Sequence, residues 1–158
     1  MNNFAFIDGN NLFLGVKALG WKIDMRRFRQ YLKDQYGVTK AYYFIGFHPD
    51  QQNLYRSLQE AGFVLEFKPT LTLKDGTMKG NCDAELVLRT ILEIGNYDNA
   101  VIVTGDGDFQ CLVKHLIEVA KLEKVISPSA KGCSKLIKKI CTPTFIEELR
   151  SKLEYVKH

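Results

Sequence analysis

Four aspartates stand where apolar segments stop or a helix begins. Asp8 follows Phe4-Ala5-Phe6-Ile7, Asp106 and Asp108 follow Ala100-Val101-Ile102-Val103-Thr104-Gly105, and Asp83 follows Lys79-Gly80-Asn81-Cys82. If the first and fourth apolar strands are neighbours, these side chains can converge on one small crevice. Carboxylates packed together repel one another unless cations neutralise them, and hard oxygen donors of this kind suit Mg²⁺ or Mn²⁺. One or two such ions could hold a phosphodiester, activate a water and stabilise the leaving oxyanion. Hydrolysis of a phosphodiester is the chemistry to expect.

Taken singly, the acids have simpler roles: Asp8-Gly9 can start a turn and Asp108 can cap a helix beginning at Phe109. Taken together they exceed what turns require, because acids sit at both strand ends and at a helix start. A calcium loop is a poor competitor, since Asp106-Gly107-Asp108 runs on into Phe109-Gln110-Cys111-Leu112 without further oxygen ligands or a closing Glu. No glycine-rich stretch ends in Gly-Lys-Ser or Gly-Lys-Thr, so a phosphate loop is absent.

Periodicity supplies the elements that must position these acids. Phe4 to Ile7 is a short apolar run of the kind that forms a fully buried strand, and Asp8-Gly9-Asn10-Asn11 reads as a functional loop at its carboxyl end. From Asp24, a capping residue, Met25, Phe28, Tyr31 and Leu32 recur at helical spacing up to Gly37. Ala41 to Phe47 is a second strand, and Leu54, Leu58 and Ala61 mark the next helix. Phe63 to Phe67 is a third strand. Lys68 to Gly80 reads as a hairpin or a mobile loop around Lys74-Asp75-Gly76-Thr77. Asp83 opens a helix with Leu86, Val87, Ile91 and Ile94 on one face. Ala100 to Val103 is a strand, followed by a helix using Phe109, Leu112, Val113, Leu116 and Val119-Ala120. Lys124 to Ile126 is a short strand, Lys131 to Ile140 a basic helix and Pro143 to Leu153 a terminal helix. Alternating strands and helices imply an α/β fold around a mostly parallel sheet, in which ligands bind beyond the carboxyl ends of the strands.

Three segments carry a resemblance. Phe6-Ile7-Asp8-Gly9-Asn10-Asn11, Lys79-Gly80-Asn81-Cys82-Asp83-Ala84-Glu85-Leu86 and Val103-Thr104-Gly105-Asp106-Gly107-Asp108-Phe109 resemble, in order and spacing, the motifs of the NYN domain, the LabA-like branch of the PIN-like nucleases. The resemblance spans nearly the whole chain and implies a single domain over residues 1–158, a Rossmann-like PIN/NYN fold, a Mg²⁺ or Mn²⁺ site and endoribonuclease-type activity on RNA. Carried over by motif, Asp8, Asp83, Asp106 and Asp108 are the catalytic metal-site acids, with Asn11 and Thr104 as polar supports. Many members similar to this chain place a further Asp one and a half turns after the second-motif acid, where this sequence has Arg89. That departure favours the alternative of a non-catalytic RNA- or nucleotide-binding module. Glu85 is close enough in sequence to Asp83 to contribute through water, although a solvated first-turn residue is its commoner role.

The rest of the chain bounds the reading. Its 158 residues, 46% hydrophobic and 25% charged, fit one globular domain with a sizeable core. The longest apolar runs are far shorter than the roughly 20 residues that span a bilayer. No basic region with an apolar stretch precedes Asp8, so a cytoplasmic location is expected. A net charge of +4 is a mild pointer to a polyanion. Lys79 can reach a phosphate, and Lys131, Lys135, Lys138 and Lys139 would form a basic stripe for RNA along the predicted helix. Cys82, Cys111, Cys133 and Cys141 lack metal-site spacing and read as buried reduced thiols. His115 reads as partly buried, and Phe13, Leu14 and Trp21 as core residues in preference to a base-stacking surface. The apolar excess over residues 63–73 leads to an expectation of a homodimer through that region.

Overall fold

Apolar residues on alternate sides of β1 (Asn3–Asp8) face two different cores. Ala5 and Ile7 point to one side with Val101 and Val103, while Phe4 and Phe6 point to the other with Ala100 and Ile102. A strand buried on both faces lies between helical layers, because successive side chains alternate across a sheet. A computed structural model describes residues 1–69, 71–72, 74, 78–79 and 82–157, with nothing stated of the side chains of Pro69, Leu71, Thr72, Met78 and Lys79.

The elements in order are β1, α1 (Gly9–Ala18), α2 (Met25–Tyr36), β2 (Val38–Phe47), α3 (Gln52–Glu60), β3 (Phe63–Pro69), β4 (Leu71–Thr72), β5 (Met78–Lys79) and α4 (Asp83–Leu92). Then come β6 (Ala100–Val103), α5 (Gln110–Glu118), β7 (Leu122–Ser127), α6 (Lys135–Lys138), β8 (Thr144–Phe145) and α7 (Arg150–Leu153). Six strands form an all-parallel sheet in the order β3-β2-β1-β6-β7-β8. The order reverses between β1 and β6, which pair from Phe4 opposite Ala100 to Ile7 opposite Val103. At that switch point the connections leave in opposite directions and open a crevice beyond the strand ends. The paired ends are those that carry Asp8 and Asp106.

Helices α1, α2, α3 and α7 supply Leu12, Val16, Phe28, Leu32, Leu58 and Leu153 to one core. Helices α4, α5 and α6 supply Leu86, Leu112, Val113, Leu116 and Ile137 to the other. Asp24 caps α2 by accepting from the Arg26 N–H at 3.0 Å and the Arg27 N–H at 3.2 Å. Gly37 ends that helix in the left-handed conformation, where a residue without Cβ is unstrained.

Several expectations are corrected. Residues 9–11 are not a loop, because α1 starts directly at Gly9 with Asp8 as its cap. On α4, Thr90 takes the buried position beside Leu86 by returning its hydroxyl to the Leu86 carbonyl at 2.8 Å, and Ile91 is exposed. The basic helix shrinks to α6, with Lys131 in the turn before it, because Ser134 caps at Leu136. The terminal helix breaks into β8, a short 3₁₀ turn and α7, since Thr144 and Phe145 pair with the end of β7. Cys111 and His115 lie on the outer side of α5 and are exposed, as is Val119. Phe13 and Leu14 are exposed rather than in the core, whereas Trp21 packs against it.

The segment read as a hairpin contains an antiparallel pair, Leu71 opposite Lys79 and Thr72 opposite Met78. Thr70, Leu73, Asp75, Gly76, Thr77, Gly80 and Asn81 lie outside the described residues. Of the apolar excess over 63–73, Phe63 and Leu65 belong to the core and Phe67 packs on Tyr55 with ring centroids 4.8 Å apart. No helix among the described residues is long and apolar enough to cross a membrane.

Candidate metal centre

Asp8 ends the central strand and caps α1, so one residue does two jobs. Its Oδ1 accepts from the Asn11 N–H at 3.2 Å, and its Oδ2 accepts from the Thr104 hydroxyl at 3.1 Å. The same hydroxyl oxygen accepts from the Asp106 N–H at 3.1 Å. Asn11 closes the circuit from α1, its Oδ1 accepting from the Gly105 N–H at 3.0 Å. Asp106 in turn caps the short 3₁₀ turn Gly107–Phe109, its Oδ1 accepting from the Asp108 N–H at 2.9 Å. The capping role expected of Asp108 therefore belongs to Asp106.

Asp83 enters from the other helical layer, in the first turn of α4, where the helix dipole favours a carboxylate. Asp8, Asp83 and Asp106 each offer a carboxylate oxygen, and the three oxygens lie within 4.8 Å of one another. Ligands at Mg²⁺ distances, about 2.0–2.1 Å, sit at most about 4.2 Å apart across the ion. The trio thus fits a hard divalent cation with little adjustment.

Electrostatics agree with the geometry. Burial pushes the Asp8 carboxyl above its ordinary range, the Asn11 N–H and Thr104 hydroxyl pull it back, and the charges of Asp83 and Asp106 raise it further. A cation would relieve that repulsion.

The packing beneath the trio is tight. A Cβ on Gly9 would collide with the Tyr43 ring and come within 2.7 Å of the Phe44 carbonyl, so only glycine fits. Tyr43 donates to the Gly9 carbonyl at 3.4 Å, and its phenol is pushed upward by burial first and by the Asp8 charge second. Sequence reasoning missed Tyr43. Its signal was a tyrosine in a strand neighbouring the acid-bearing one.

Other predicted residues fall at varying distances from this centre. Asp108 is exposed on the 3₁₀ turn and lies outside the trio, yet it shares a hollow of 490 Å³ with Asp83. Glu85 pairs with Lys68 at 3.6 Å, and its other carboxylate oxygen is buried without a hydrogen-bond partner among the described residues. The side chain of Lys79 lies outside what is described. Lys131, Lys135, Lys138 and Lys139 are exposed around α6, whose Ser134 N–H donates to the Gly105 carbonyl at 2.9 Å and so ties this segment to the acid-bearing turn. Lys138 is partly committed, donating to the Ala130 carbonyl at 2.8 Å. Arg89 meets Glu66 at 3.1 Å and Glu93 at 3.4 Å and lies over the Tyr42 ring, which gives it a packing role between α4 and the sheet.

A cleft of 1220 Å³ runs from the trio along α1 and past the end of β2. Its walls include Phe13, Leu14, Lys22, Leu54 and Pro128 as well as Asp8, Asp83 and Asp106.

Comparison with known proteins shows the family and the fold. The chain is 29% identical over 121 residues to the low amplitude and bright protein LabA of Synechococcus elongatus, an alignment covering 70% of this chain and 65% of LabA. The chain thus spans just under two thirds of that relative's length. Its fold matches the crystal structure of VPA0982, a protein of unknown function from Vibrio parahaemolyticus, with a TM-score of 0.75 at 23% identity over 91% of both chains. The NYN domain model matches residues 4–149, and the chain belongs to the NYN domain family, the LabA-like branch of the PIN-like nuclease superfamily.

Proposed function

We propose that this protein is a metal-dependent endoribonuclease that hydrolyses RNA phosphodiester bonds. The observation that carries the reading is the convergence of the Asp8, Asp83 and Asp106 oxygens within 4.8 Å at the switch point of the sheet. Mg²⁺ or Mn²⁺ bound there would supply a Lewis acid and an activated water. The chain's own part is to hold the three carboxylates in place. Thr104 and Asn11 lock Asp8 and the Asp106 turn to each other, so the acids are preorganised before the ion arrives. Asp108, which lines one hollow with Asp83, is the fourth acid of the motif. The lysines around α6, a segment tied to the acid-bearing turn by the Ser134–Gly105 contact, attract the RNA backbone.

The non-catalytic alternative draws on Arg89, and the ion pairs of Arg89 with Glu66 and Glu93 account for that residue by packing. Cleavage separates the readings. Purified protein given Mn²⁺ is expected to fragment single-stranded RNA internally, to stop in chelator and to leave a generic phosphomonoester intact. RNA bound but uncut under the same conditions would select the binding module.

A further inference from the structure

Two large apolar side chains on α1 face the wrong way for a core helix. Phe13 is 61% exposed and Leu14 53%, while Leu12 and Val16 on the opposite side are buried. Single exposed apolar residues are ordinary. These two, however, line the same cleft as Asp8, Asp83 and Asp106, and Leu54 of α3, 42% exposed, lines it as well. Phe13 lies five residues after Asp8, about 7.5 Å of rise along the helix that Asp8 caps. That is close to one nucleotide step along an extended strand.

We infer that Phe13 is a base-stacking platform for an unpaired nucleobase next to the scissile phosphate, which makes single-stranded RNA the substrate class. The inference rests on the nuclease reading for the position of the phosphate, but the platform itself is a property of the cleft. An aromatic ring presented to solvent offers sequence-tolerant stacking. The ring also carries a cation beside it, with Lys17 Nζ 5.9 Å from its centroid, and Lys22 lies on the cleft wall. The apolar end is therefore flanked by groups that take phosphates. At 1220 Å³ the cleft exceeds the roughly 300–1,000 Å³ of a small-ligand pocket and has room for more than one nucleotide. A base inside a duplex is stacked on its neighbours and cannot reach such a ring. A second copy of the chain is a weaker occupant: a stable dimer buries about 800 Å² on each partner, whereas this patch is a few side chains in a concavity shared with three acids.

The test uses the full chain with Asp106→Asn to suppress cleavage, and measures affinity for a short single-stranded oligoribonucleotide and for its duplex by fluorescence anisotropy. Adding Phe13→Ala is expected to weaken single-strand binding by roughly 5- to 100-fold. Phe13→Trp should retain it, and duplex affinity should be the same in all three proteins. In the otherwise wild-type chain, Phe13→Ala should leave the Mn²⁺-induced rise in Tm unchanged, which separates a platform from a structural role. Equal single-strand affinity with and without Phe13, an equal loss for duplex, or binding of neither strand overturns the inference. So does a concentration-dependent dimer that Phe13→Ala abolishes. Phe13-dependent binding by a wild type that cuts nothing would remove the nuclease reading and leave the platform standing. Cleavage by a protein whose binding ignores Phe13 would do the reverse.

Discussion

The Thr104 hydroxyl ties Asp8 to the Asp106 turn: it donates to Asp8 Oδ2 at 3.1 Å and accepts from the Asp106 N–H at the same distance. Thr104 is fully buried, so neither bond exchanges readily with water. One hydroxyl thus sets the spacing between an acid that ends β1 and an acid in the turn after β6.

Replacing Thr104 by Val keeps the shape and removes both bonds, leaving the half-buried Asp106 N–H and an Asp8 carboxylate oxygen short of partners. Loss of about 1–3 kcal/mol of stability is expected, together with weaker Mn²⁺ binding, while Thr104→Ser should keep most of both. Urea unfolding in chelator and a Mn²⁺ titration check this, and equal behaviour of the Val and Ser variants would contradict it.

Asp8 makes metal-free stability depend on pH in a defined direction. Below the ordinary aspartate pKa, near about 3.9, folded and unfolded chains both hold the proton. As pH rises the unfolded chain ionises first, because the folded carboxyl is raised. The native state therefore loses stability through the acidic range up to that raised value and does not regain it at neutral pH. Asp8→Asn removes this loss. In chelator its stability relative to wild type should grow from about pH 4 towards pH 7, whereas saturating Mn²⁺ at neutral pH should raise the wild-type Tm and leave the variant's nearly unchanged. Urea midpoints across pH and thermal scans with and without Mn²⁺ provide the comparison.

Gly9 is held by space rather than by φ. Alanine is the better helix former, yet its Cβ would strike the Tyr43 ring and the Phe44 carbonyl beneath α1. Gly9→Ala should therefore destabilise by about 1–3 kcal/mol, and a gain in urea midpoint would refute the packing argument. Gly20, with φ +87° and open space around it, lies outside the site and makes a useful comparison position for metal affinity, which should be unaffected by Gly20→Ala.

The lysines around α6 divide by what holds them. Lys135→Ala with Lys139→Ala should weaken RNA binding and flatten its salt dependence by about two counterions' worth of slope, with Mn²⁺ affinity unchanged. Lys138→Ala should in addition loosen the turn at Ala130, because its ammonium donates to that carbonyl. Binding isotherms at several salt concentrations read both effects, and an unchanged slope in the double variant would remove the stripe.

Much of this architecture was legible because strand ends advertise themselves. The strand Ala100–Val103 and the Asp24-to-Gly37 helix stand where apolar period and capping residues put them. The helix at Gly9 was hidden because Asp-Gly-Asn-Asn has the composition of a turn, and its helical signal, Leu12 and Val16 one turn apart, is only two residues long. Around Lys131 the helical spacing of lysines misled, since Gly132 and the Ser134 cap delay the helix. In the centre, the acids were legible one by one, but which three converge depends on how the turn after β6 folds. There Asp106 turns inward as a cap and Asp108 outward, a choice made by the hydrogen bond from the Asp108 N–H to the Asp106 carboxylate. Exposure of Phe13 was illegible because an aromatic at a helical position looks like core until its neighbours are known.

The central claim is that the three clustered carboxylates bind the ion that cuts RNA. Cleavage of single-stranded RNA in Mn²⁺ by wild type, Asp8→Asn and Asp106→Asn, each verified as folded by circular dichroism, tests it most directly. Asparagine keeps size and hydrogen bonding but removes a charge from the ion's shell, so both variants should fold as well as wild type and cut orders of magnitude more slowly. Wild-type rates from both folded variants would contradict the account.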